Sequence, residues 1–95
     1  IRVCHFEVSE DVKDLFYDTF SYMKDIDSMI KQSSINGKYF VDTTKINIQM
    51  LRDAGVKPEN ILDSGICTVC NKDYFHSYRA DKEISGRNGA MIMLK

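Results

Sequence analysis

The feature that most constrains this chain's fold is a capped, amphipathic stretch near its start. Ser9 suits an N-cap, and Glu10 and Asp11 place negative charge in the first turn, where the helix dipole favours it. Val12, Leu15, Phe16, Phe20 and Met23 follow at three- and four-residue intervals, which sets them along one face of a helix. A second helix is bracketed as clearly. Asp42 can cap a run from Thr43 to Ala54 with Ile46, Met50, Leu51 and Ala54 on its buried side, and Gly55 ends it because glycine tolerates positive φ.

Around these helices the sequence reads as short extended pieces. Arg2 to Val8 is strand-like, with Val3, Phe6 and Val8 as apolar candidates. Ile26, Met29 and Ile30 either extend the first helix or form a short turn after Asp25. Asn36-Gly37 marks a turn, and the run from Lys38 to Asp42 after it is extended. The stretch "GVKPENI" is a tight connection, and strands are expected over Ile61–Ile66, Tyr74–Tyr78 and Ala90–Leu94. Helices alternating with strands, and a hairpin at the end, indicate an α/β or α+β layered fold with two helices. No repeat, linker or low-complexity tract interrupts the 95 residues.

Composition narrows the function classes. With 43% hydrophobic and 28% charged residues, the chain has the profile of a soluble piece no larger than one domain. A formal charge of -1 with dispersed basic residues offers no footprint for nucleic acid or an anionic membrane. No apolar run approaches the length a bilayer-spanning helix needs, so a cytoplasmic location is expected. Three cysteines, an odd number, argue for reduced thiols over a disulfide framework. The chain opens on Ile1 with "IRVCHFEV", which reads like an interior strand, so a piece of a longer polypeptide is expected.

The chemistry-bearing residues concentrate in "CTVCNKDYFHSYRADKEISGRNG", Cys67 to Gly89. Cys67 and Cys70 form a C-x2-C, the spacing by which a turn presents two thiolates to zinc, but a closed site needs two further ligands. The candidates are His76 and, far away in sequence, Cys4 or His5. In a strand Cys4 and His5 would point to opposite faces, so reduced cysteines near a turn are the expectation and no metal ligand is assigned. A redox role is set aside because Cys67 follows a strand-like run rather than opening a helix. His76 is read as a structural residue on a strand. Arg79, and Arg87 after Ser85-Gly86, could face an anion, against the plainer reading that Arg79 pairs with Asp81 or Glu83.

These residues also carry a resemblance. Cys67-Thr68, Asp73, Tyr74-Phe75, Ser77-Tyr78-Arg79, Gly86-Arg87 and the final apolar run Met91–Leu94 resemble the C-terminal signature of the laccase-domain family, also called the polyphenol oxidase or YfiH-type family. "IRVCHFEVSEDV" and "KYFVDTTKINIQMLRDAGV" are similar to two further segments of that family, so the likeness spans the chain. His76 and Ala80 depart from the signature, where an aromatic and a second basic residue are common.

The resemblance implies that residues 1–95 are the C-terminal portion of a single mixed-sheet laccase-like domain. It implies a parent enzyme that is a zinc-dependent purine nucleoside phosphorylase with adenosine deaminase activity, with purine nucleoside and phosphate as its small-molecule partners. Zinc would be held by two histidines and a cysteine in segments absent from this chain, and copper is implied only by the older family label. Arg79, Arg87 and Ser77 are the candidates for binding substrate or phosphate. The isolated segment, lacking catalytic and metal residues, is expected to be inactive and to self-associate or pair with the upstream part of the domain. Two alternatives come from other classes: a small zinc-binding interaction module built on Cys67 and Cys70, and a purely structural α/β segment.

Overall fold

A computed structural model describes residues 1–93. Its centre is a three-stranded antiparallel sheet of β1 (Glu7–Ser9), β2 (Ile30–Gln32) and β3 (Lys38–Val41), in the order β1-β3-β2. Val8 lies opposite Tyr39 across the β1–β3 pair, and Ile30 lies opposite Val41 across β2–β3. The β2–β3 hairpin turns through Asn36-Gly37 as the sequence indicates, with Gly37 at φ 78° where an L side chain would be strained. Ser33 N–H donates to Lys38 O at 3.0 Å and closes the turn.

Helix α1 (Glu10–Thr19) follows β1 directly. Ser9 occupies the N-cap position, yet its side chain makes no capping bond. The residue is at once the last position of β1, paired with Lys38. The helix stops at Thr19, earlier than the apolar spacing suggests, and Met23 reaches the core from the turn that follows. Ile26–Met29 form a short 3-10 turn, one of the two possibilities open from sequence. Helix α2 (Thr43–Asp53) matches expectation closely: the Asp42 carboxylate accepts from Lys45 N–H at 3.1 Å, and Gly55 sits at φ 100° beyond the last turn.

The core is small and has three sources. Val8, Ile30 and Val41 come from the sheet, Met23, Ile26 and Met29 from the connection between α1 and β2, and Ile46 from α2. Phe16 of α1 packs against its border with Phe6 at 6.2 Å, ring edge to face, and with Phe20 at 6.1 Å, nearly parallel. Leu15, Met50 and Leu51, expected on the buried faces of their helices, are exposed. A three-stranded sheet of three- and four-residue strands is too narrow to cover two full helix faces.

The mixed α/β character stands, but several extended segments take another form. Residues 3–5 are a turn rather than a strand, with His5 N–H and Phe6 N–H both donating to Arg2 O at 3.0 Å. Ile61–Ile66 and residues 74–77 carry no strand, and Tyr78–Asp81 form a single helical turn, α3. Residues 90–93 are not paired either, and Leu94 of the expected last strand lies outside the described residues. A strand is stabilised by a partner's ladder and a buried face; among the described residues these segments have no partner strand, and Leu62 and Ile92 are almost wholly exposed. Where a terminal hairpin was expected, Asn88 instead holds His76 with its side chain, accepting from His76 N–H at 3.1 Å and donating to His76 O at 2.7 Å.

Candidate functional site

Two turns distant in sequence meet at the surface and bring four ligand-type side chains together. The first is the Arg2–His5 turn, whose backbone bonds to Arg2 O remove the strand alternation that would have set Cys4 and His5 on opposite faces. The second is the Cys67–Cys70 turn, closed by Asn71, which donates to Cys67 O through both N–H at 3.0 Å and Nδ2 at 2.9 Å. Cys4, His5, Cys67 and Cys70 consequently present one ligand atom each, all within 4.8 Å of one another. Cys67 is buried and the other three are exposed. The three thiols are free.

The electrostatics of the thiols differ. Burial works against the Cys67 thiolate, but backbone N–H donors of Cys70, Arg2 and Val69, together with the His5 ring, outweigh it and bring the thiol down to about 6. Burial and the neighbouring Cys70 and Cys67 sulfurs push Cys4 up to about 11. One sulfur of the group is thus set up as an anion and another resists becoming one without a cation to share. An Arg2–Asp63 ion pair, with the second of its two bonds at 2.9 Å, ties the first turn to the irregular segment before the second.

The anion-facing candidates are placed separately from one another in role. Ser77 is buried, and its hydroxyl caps α3 by accepting from Ala80 N–H at 3.4 Å. Arg79 lies over the Phe6 ring, 5.4 Å from its centroid, and Nη1 donates to Glu7 O at 3.1 Å and His5 O at 3.5 Å. Neither of the acidic partners considered from sequence, Asp81 or Glu83, forms an ion pair with it among the described residues. Both Ser77 and Arg79 line an open hollow of about 350 Å³ together with Phe6, Thr68, His76 and Tyr78. Arg87 is exposed in the coil beyond the 3-10 turn Lys82–Ile84 and does not line that hollow. His76 is turned toward Gly86, where its ring leaves no room for a β-carbon.

The cluster can hold a metal ion, but it does not match the donor set the laccase-type likeness implies for catalysis. Two histidines and one cysteine would leave a coordination position open for water, whereas three sulfurs and one imidazole fill a tetrahedron. The missed signal was one of counting: a C-x2-C and an adjacent Cys-His sum to four ligands once the second pair is placed in a turn.

Comparison with known proteins extends over this whole architecture. A purine nucleoside phosphorylase of Staphylococcus epidermidis is 34% identical over 88 residues, covering 92% of this chain and 32% of the relative. A second protein of that name from another strain of the species is 32% identical over the same share. The Bacillus subtilis purine nucleoside phosphorylase YlmD is 34% identical over 58 residues, 61% of this chain and 21% of the relative. The chain therefore spans about a third or less of the curated relatives it matches. No solved structure gives a significant match. The family model described as multi-copper polyphenol oxidoreductase laccase matches residues 1–95 from end to end, and the chain belongs to that family.

Proposed function

We propose that this chain is the C-terminal portion of one laccase-like domain in an enzyme that cleaves purine nucleosides with phosphate. The observation that carries this reading is the likeness, over 92% of the chain, to a protein named purine nucleoside phosphorylase. In such a reaction phosphate displaces the purine at the sugar carbon, giving the free base and a sugar phosphate. The enzyme must therefore hold an anion beside the ribose and help the purine leave with a proton.

Arg79 and Ser77 support the first requirement. They share a hollow, and Arg79 spends one of its two terminal nitrogens on backbone carbonyls while its guanidinium keeps further donors for an anion. Arg87 is proposed as a second, more loosely placed cation. Zinc dependence and adenosine deaminase activity belong to the same reading, with the catalytic zinc held by residues beyond this chain. A zinc ion with an open position makes bound water a nucleophile near neutral pH, the chemistry deamination needs.

The test is an assay of the protein that carries this segment, with inosine or adenosine in the presence and absence of phosphate. Base release that requires phosphate and yields a sugar phosphate is expected, and Arg79→Ala should raise KM for phosphate more than KM for nucleoside. No base release, or release indifferent to phosphate, overturns the reading.

A further inference from the structure

We propose that Cys4, His5, Cys67 and Cys70 bind one zinc ion in a closed tetrahedral site that staples the first turn of the chain to the Cys67–Cys70 turn. This inference stands on the geometry of the cluster and does not depend on the nucleoside reading.

Distances carry the argument. Zinc bonded to sulfur at about 2.3 Å and to imidazole nitrogen at about 2.0 Å, in a tetrahedron, separates S from S by about 3.8 Å and S from N by about 3.5 Å. The structure places Cys4 Sγ and Cys70 Sγ 3.6 Å apart. His5 Nδ1 lies 3.2 Å from Cys4 Sγ, 3.3 Å from Cys70 Sγ and 3.7 Å from Cys67 Sγ. Every one of these separations falls within a few tenths of an ångström of the zinc value. The 3.6 Å between sulfurs is far longer than a disulfide, so the convergence is not that of a bonded pair.

The donor set selects the metal. Three sulfurs and an imidazole exclude magnesium and calcium, which take oxygen ligands, and suit zinc, which takes sulfur and nitrogen in a tetrahedron. Four protein ligands leave no position for water or substrate, which makes the site structural rather than catalytic. Binding would release to solvent the protons of those thiols still protonated, and the three exposed ligands leave the ion a direct way in. The two ligand pairs lie 62 to 66 residues apart, so the ion would close a loop of that length between the first turn and the Cys67–Cys70 turn.

The test uses the 95-residue chain, purified without chelator and with a non-thiol reductant. Native mass spectrometry after zinc addition should show one zinc per chain. Cobalt(II) in its place should give the sulfur-to-metal charge-transfer and intense visible bands of a tetrahedral, thiolate-rich site. Cys67→Ser and Cys4→Ser should each weaken zinc binding by roughly a hundredfold or more, whereas His76→Ala, which removes the chain's other histidine, should leave it unchanged. Should a serine variant fail to fold, the wild-type chain still decides. With zinc, Cys4 and Cys70 should resist alkylation and become reactive on chelation, although both are exposed. Substoichiometric zinc, a pale octahedral cobalt spectrum, zinc-independent alkylation, or loss of binding in His76→Ala overturns the site.

Discussion

The two halves of this chain are held by different forces. Every residue of the apolar core lies between Val8 and Ile46, whereas from Ile61 onward only Cys67 and Ser77 are buried among the described residues. The first half follows ordinary folding logic, in which apolar surface leaves water and helices cap themselves. The second half is anchored by polar and sulfur contacts: the Arg2–Asp63 pair, the cysteine and histidine cluster, Arg79 on the β1 carbonyls, and Asn88 on His76. A region with so little core needs point attachments, and a metal ion is the strongest of those available to it.

Three experiments can break this contrast. The largest effect should come from chelation: hydrogen exchange over residues 61–89 should lose its protection while β1, β2 and β3 keep theirs. A uniform loss across both halves would mean that the chain has one cooperative unit rather than two. Ile46→Ala should act the other way. It removes a side chain only 2% exposed and should destabilise the first half by about 2–5 kcal/mol in a denaturant melt, with zinc affinity unaltered. The smallest effect should come from Asp63→Asn. The Arg2 hydrogen bond and then the Gly65 N–H hold the Asp63 carboxyl below its ordinary range. Its contribution is therefore present above the unfolded carboxyl's pKa and lost as pH falls through the lower folded value. Thermal melts of wild type and variant should differ slightly at neutral pH and converge in acid; a difference that grows on acidification would assign the pair no such role.

The same contrast explains what could be read from sequence. Helix α2 was legible at both ends because Asp42 and Gly55 act locally, through a side-chain cap and a positive φ. The Gly37 turn was legible for the same reason. The three-residue strand β2 was not, because Ile30–Gln32 is too short to show alternation and is defined only by its pairing with β3. In the second half, apolar runs such as Ile61–Ile66 signalled strands that have no partner among the described residues. The cysteine and histidine cluster was half legible. Its residue types were plain, but their meeting depends on the Arg2–His5 turn, where the strand-like "IRVCHFEV" gives no local warning of a bend. Arg79 was singled out from sequence for its guanidinium, while its contacts with the carbonyls of His5 and Glu7 depend on a tertiary approach that spacing does not encode.

The Asn88 clamp on His76 has a consequence for how this protein ages. Its carboxamide both donates to and accepts from the His76 backbone, a pairing that requires nitrogen on one side of the group and oxygen on the other. Asn88 is followed by Gly89, the neighbour that least hinders backbone attack on an asparagine side chain. Attack by the Gly89 nitrogen on the Asn88 side-chain carbonyl would close a five-membered ring and expel ammonia, and water opening that ring would leave a carboxylate that accepts only, with no donor for the His76 carbonyl. The closure of residues 76–88 thus rests on one carboxamide whose loss would leave it without its donor.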